Sequence, residues 1–75
     1  IIMTNKEIIN LIEDTFEIDM NTLSENSSLS DIPEYDSMAK LSVIILADEE
    51  FNKKLTGETM RDFKIVGDIV EFLKQ

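Results

Sequence analysis

Cysteine and histidine are both absent from this chain of 75 residues, and much chemistry is excluded with them. Without cysteine no disulfide can form, and redox compartment cannot be read from cysteine usage. The usual zinc, haem and iron–sulfur ligand sets are missing. So are serine–histidine and cysteine–histidine catalysis. Paired carboxylates remain, since Asp and Glu number 16. They read as surface charge, because no constellation of acid, base and electrophile emerges along the chain. The expectation is a protein that is not an enzyme and holds no metal.

Positive charge is scarce as well. Seven Lys and Arg stand against the acidic residues, giving a net charge of −9 and a pI near 4.2. No segment supplies the basic face that a nucleic-acid binder shows, and anionic membrane surfaces repel such a chain. Long-range attraction instead favours partner proteins with basic docking patches. Long hydrophobic runs are also lacking. The longest extends from Val43 to Ala47, too short to span a membrane, so no membrane insertion is expected. Ile1-Ile2-Met3 lacks the basic region and apolar stretch of a signal peptide, and a cytoplasmic location is expected by default. Residues 1–75 read as one domain and a monomer, with residues 1–3 a flexible or non-native extension. A domain this small is marginal in stability, and helix packing alone must hold it.

Helical signals are abundant. Thr4-Asn5-Lys6-Glu7 reads as a capping box, in which Thr4 accepts from an early amide and Glu7 reaches back. Ile8, Ile9, Ile12 and Phe16 then recur on one stripe, with Lys6, Asn10, Glu13 and Asp14 elsewhere. This predicts a first helix from about Asn5 to Thr15. From Glu17 to Asp36 the chain is rich in Asn, Ser, Asp and Thr and contains Pro33, which predicts a long loop. Ile18, Met20, Leu23, Leu29 and Ile32 punctuate it, as in a loop pinned onto a core. Asp19-Met20-Asn21 begins like a calcium loop, but Leu23 and Ser24 stand where an oxygen ligand and the turn glycine belong. Ser30 stands where the closing Glu should be, so that reading is rejected.

A second helix is predicted from Asp36-Ser37, with Asp36 as N-cap. Met38, Leu41, Ile44, Ile45 and Phe51 form its main apolar face, and Val43 and Leu46 widen it until mid-helix is apolar nearly all round. Such a helix is either buried on several sides or presents a patch to partners. Asp48-Glu49-Glu50 follows, and Lys53 and Lys54 are expected near its C-terminal end, where positive charge suits the dipole. Thr56-Gly57 breaks the chain. A short turn of helix is expected over Glu58 to Asp62, anchored by Met60 and Phe63. A last helix is expected over Val66 to Lys74, with Val66, Ile69, Val70 and Leu73 on one stripe and a poorly capped start at Lys64 and Ile65. The fold class is all-α: three main helices, one short helix, and a long loop between helices 1 and 2.

Ser37 is the residue to watch. A primary hydroxyl at the first turn of a helix, after a loop containing Pro33, should be exposed. An anion attached there would lie against unpaired backbone amides and the positive helix end. The loop serines Ser24, Ser27, Ser28 and Ser30 lack the following apolar helix, and Ser42 is inside it.

Asp36-Ser37-Met38 resembles the Asp-Ser-Leu motif of acyl carrier proteins. The order of elements is similar too: the first helix, the pinned loop, the apolar second helix ending in Asp48-Glu49-Glu50-Phe51, the short helix, and Val66-Gly67-Asp68. The likeness runs from about Lys6 to Leu73. It implies an acyl-carrier-like bundle that carries acyl intermediates as thioesters on 4'-phosphopantetheine, donated from coenzyme A to Ser37 by a phosphopantetheinyl transferase. Asp36 and Met38 would flank the attachment site. Lys40, Leu41, Ile45, Asp48 and Glu49 would meet acyl-activating, acyl-transfer or synthase enzymes. Met38, Leu41, Ile45, Leu46, Leu55, Met60 and Phe63 could line an acyl pocket, and each could equally be plain core. Ala39 and Ser42 stand where the family usually has acidic residues, Lys40 adds a positive charge, and Tyr35 replaces a small residue before Asp36. These departures imply altered partner choice, closer to carriers of surface-polysaccharide or secondary pathways than to the general carrier of fatty-acid biosynthesis. An aminoacyl or peptidyl carrier and an unmodified helical interaction module remain open as alternatives.

Overall fold

The computed structural model describes residues 3–75. Ile1 and Ile2, expected to form an extension, lie outside the described residues, whereas Met3 packs against the core. The elements are α1 (Asn5–Phe16), a short 3-10 turn (Leu29–Asp31), α2 (Ser37–Phe51), α3 (Gly57–Arg61) and α4 (Val66–Lys74). The class is all-α, and α1, α2 and α4 pack against one another around a common core.

The capping box at the start of α1 is formed. Thr4 Oγ1 accepts from the Glu7 amide at 3.1 Å, and Glu7 Oε1 accepts from the Thr4 amide at 2.8 Å. The stripe of Ile8, Ile9, Ile12 and Phe16 is buried as its spacing predicts. The helix stops where Glu17 turns left-handed at φ 60°.

Glu13 corrects the sequence reading. Expected on the polar side, it is 0% exposed. Its Oε1 accepts from the Asn21 amide at 3.0 Å and its Oε2 from the Leu23 amide at 2.8 Å. The carboxylate thus folds inward and is satisfied there by two loop amides, as a buried polar group must be.

The loop is ordered by three further ties. Leu29 and Ile32 are buried, and Ile18 and Leu23 pack against the core. Ser28 and Ile65 form an isolated antiparallel bridge, in which the Leu29 amide donates to Lys64 O and the Val66 amide to Ser27 O, each at 2.9 Å. The Gly67 amide donates to Glu25 O at 2.8 Å, and a Cβ at Gly67 would meet that oxygen at 3.0 Å. Met20, expected among the anchors, is exposed instead.

Asp36 caps α2 by accepting from the Ala39 amide at 2.9 Å. The sequence leaves open whether this helix is buried on several sides or presents an apolar patch, and the structure divides its apolar residues between the two. Ala39, Val43, Leu46 and Ala47 face the core, while Met38, Leu41 and Ile45 are 73%, 54% and 47% exposed. Ile44 and Phe51 are half-buried at the margin. The buried set follows the helical period, and its alanines allow close approach of neighbouring backbone. Asn52, left-handed at φ 53°, ends α2 before Lys53 and Lys54, so neither lies in its last turn.

α3 begins one residue earlier than expected, with Thr56 Oγ1 accepting from the Thr59 amide at 3.2 Å. The start of α4, expected to be poorly capped, is capped from inside. Asp68 Oδ2 accepts from the Lys64 amide at 2.8 Å and from the Ile65 amide at 3.1 Å. These two bonds hold the Asp68 pKa below the usual carboxylate value. Its contribution to stability is therefore present above the unfolded carboxylate pKa and lost as pH falls through the lower folded one. Asp68→Ala should cost about 1 kcal/mol at neutral pH, about 4–8 °C in Tm. Thermal melts across pH should show this gap closing in acid, and a gap independent of pH would contradict the assignment.

Candidate functional site

The sequence candidates lie along α2 and the segment that follows it, with Asp36, Ser37, Met38, Lys40 and Leu41 together at the start of the helix. Ser37 is its first residue and is exposed. Asp36, immediately before it, is committed to the Ala39 amide. The Ser37 hydroxyl therefore sits at a helix start with no histidine anywhere in the chain and its adjacent carboxylate already hydrogen-bonded. Chemically it suits a hydroxyl that receives a group from another protein, and it lacks the oriented base of a catalytic nucleophile.

Ser37 borders a cleft of about 240 Å³ between α2 and α3. Leu41, Ile44 and Met60 supply apolar wall, and Lys40 and Arg61 line it with charge. A second cleft, about 420 Å³, continues past Ile44 and Ile45 to Asp48, Glu49 and Leu55. Of the four further acyl-pocket candidates, Met60 lines the first cleft and Leu55 the second. Leu46 and Phe63 line neither: Leu46 faces the core, and Phe63 stacks edge-on with Phe72 at 6.1 Å.

The proposed docking residues share a surface. Lys40, Leu41, Ile45, Asp48 and Glu49 are all exposed on α2, with Met38 beside them. Ala39 is not part of it: it is 7% exposed and packs in the core. Its departure from the usual acidic residue therefore concerns packing, and Lys40 and Ser42 carry the change in the accessible face.

Two residues near the start of α2 were not singled out for these positions by the sequence. Arg61 lies at the end of α3, far from Ser37 along the chain, and only the fold places it on the same cleft. Tyr35 was visible as an unusual residue, but its role was not. Its ring packs against Phe16 at 5.5 Å between centroids, and Lys40 Nζ lies 5.5 Å from its centre. Its hydroxyl is buried and has no hydrogen-bond partner among the described residues. Burial raises its pKa, so folding is penalised as pH rises through the range where the unfolded tyrosine ionises. Tyr35→Phe removes an uncompensated polar group and keeps the ring packing. It should match or exceed the parent in stability by up to about 2 kcal/mol, with the advantage growing above pH 10. Denaturant titrations of the pair check this, and a clearly less stable Phe variant would mean that the hydroxyl is satisfied.

No protein-family model matches the chain. It is similar to the acyl carrier protein of Lactobacillus acidophilus, at 30% identity over 76 residues covering 96% of this chain and 95% of that one. It is also similar to the acyl carrier protein of Phytoplasma mali, at 32% identity over 73 residues covering 97% of this chain and 87% of that one. Among solved structures, the solution structure of holo acyl carrier protein from Geobacter metallireducens superposes with a TM-score of 0.74 at 22% identity, covering 95% of this chain and 83% of that one. That last likeness concerns the fold. Among the described residues no helix is long and apolar enough to cross a membrane.

Proposed function

The chain belongs to the acyl carrier protein family, and from that premise we propose that it carries acyl groups as thioesters on a 4'-phosphopantetheine arm attached to Ser37. The observation that carries the attachment site is the position of the Ser37 hydroxyl: exposed, first in α2, and bordering an apolar cleft. The arm fits this position. The free amides at the start of α2 favour an attached phosphodiester, and the cleft offers apolar wall to whatever the arm carries. When bound, the arm supplies the thiol that forms the thioester. The protein's own part is to display the hydroxyl, shelter the cargo and present a face to partners.

That face is Met38, Leu41 and Ile45 with the acidic Asp48 and Glu49 beyond them. It suits phosphopantetheinyl transferase and acyl-transfer or synthase enzymes with an apolar docking groove rimmed by basic residues. In this reading the chain is a shuttle and not an enzyme. Ser42, where an acidic residue is common in the family, and the positive charge added by Lys40 favour a specialised pathway over the general fatty-acid one.

Intact mass after incubation with coenzyme A, magnesium and a broad-specificity phosphopantetheinyl transferase tests the proposal. One phosphopantetheine added per chain supports it. A folded protein that several transferases leave unmodified would sink it and favour an unmodified docking module built on the exposed face of α2.

A further inference from the structure

We propose that Lys40, assisted by Arg61 from the opposite wall of the α2–α3 cleft, is the counter-ion for the phosphodiester that joins the arm to Ser37. This rests on the reading of Ser37 as the attachment site. A phosphodiester there adds a negative charge to a chain already at −9. It also lies next to the Asp36 carboxylate, which repels it and has already taken the Ala39 amide. The helix start alone therefore offers incomplete compensation, because its capping carboxylate shares the same positive end. Two of the chain's seven cationic residues line the same cleft as Ser37, one from each helix.

Lys40 is three residues after Ser37, a spacing that places the two side chains on neighbouring positions of the helix surface. Its ammonium rests 5.5 Å from the centre of the Tyr35 ring. That distance is near the outer limit of cation–π attraction, and a charge-assisted hydrogen bond to phosphate is the stronger alternative. The long stem lets one side chain serve either partner. Arg61, at the C-terminal end of α3, presents a planar fork of donors suited to phosphate oxygens. Attachment of the arm thus moves the Lys40 ammonium from Tyr35 to the phosphodiester.

The test compares apo and holo forms of the parent, Lys40→Gln, Arg61→Gln and a remote control, Lys74→Gln, after intact mass has confirmed the arm. At low salt the holo-minus-apo change in Tm should be lower in Lys40→Gln than in the parent by about 2–5 °C. The change in Arg61→Gln should have the same sign and be smaller, and Lys74→Gln should follow the parent. In 1 M salt the differences should collapse. The phosphorus NMR resonance of the holo protein should move in Lys40→Gln and stay in Lys74→Gln, a readout that general destabilisation does not mimic. If the arm attaches but Lys40→Gln matches the control in both measurements, the counter-ion assignment is wrong and the carrier reading stands. If the parent takes up no arm, both fall together.

Discussion

Ser37→Ala is expected to take up no phosphopantetheine at all while remaining as well folded as the parent. The first half follows from chemistry, because removing the hydroxyl removes the oxygen that would form the phosphodiester. The second half follows from the local structure. The cap of α2 is Asp36, whose carboxylate holds the Ala39 amide, so Ser37 is not needed to start the helix. Ser37 is exposed, and alanine has the highest helix propensity. An exposed change of this kind stays within about 0.5 kcal/mol, or within about 4 °C in Tm for a domain of this size. Intact mass and a thermal melt of the same sample read both halves. A variant that still gained the arm would move the site to another serine. A variant that lost the arm and also melted far below the parent would show that Ser37 has a structural role the hydrogen bonds do not reveal.

Glu13→Gln should be the most damaging conservative change in the chain. Both carboxylate oxygens accept from loop amides, Asn21 at 3.0 Å and Leu23 at 2.8 Å, in a site closed to solvent. A glutamine keeps one acceptor and turns an NH2 group towards the other amide. One donor then faces another donor, and the charge that strengthened both bonds is gone. Bonds to a charged group contribute about 1.5–3 kcal/mol each, so a loss of about 2–4 kcal/mol is expected, about 10–30 °C in Tm. For a small domain that approaches its whole stability. Hydrogen exchange localises the effect, since the Asn21 and Leu23 amides should lose protection first. A Gln variant that melted within a few degrees of the parent would show that the carboxylate is not the anchor.

Much of the fold was legible because its local rules agree. The capping box at Thr4, the stripe from Ile8 to Phe16, the Asp36 cap and the stripe from Val66 to Leu73 each name an element in sequence, and each is present. Glu13 was misread because a glutamate is normally on the surface, and its burial depends on amides eight and ten residues away adopting one particular loop path. Which residues of α2 face the core was left open, because its middle is apolar nearly all round and periodicity there does not single out one side. The smaller residues Ala39 and Ala47 prove to be the inner ones. The internal cap by Asp68 escaped notice because Ile65, the residue at the cap position, has no side chain that could accept. Of the site, Ser37 and its exposed neighbours were readable from the motif, whereas Arg61 and the packing of Tyr35 depend on tertiary contacts between elements distant in sequence.

The exposed apolar face of α2 has a colloidal consequence. Met38, Leu41 and Ile45 form a sticky strip on a molecule with principal extents of only 27 × 26 × 19 Å. Two such strips would attract one another in water, and what keeps the molecules apart is the repulsion between bodies each carrying −9. That repulsion vanishes near the isoelectric point of about 4.2. The acidity that suits the proposed basic partners at neutral pH therefore also keeps molecules of this protein apart, and mild acid removes that protection from the exposed strip.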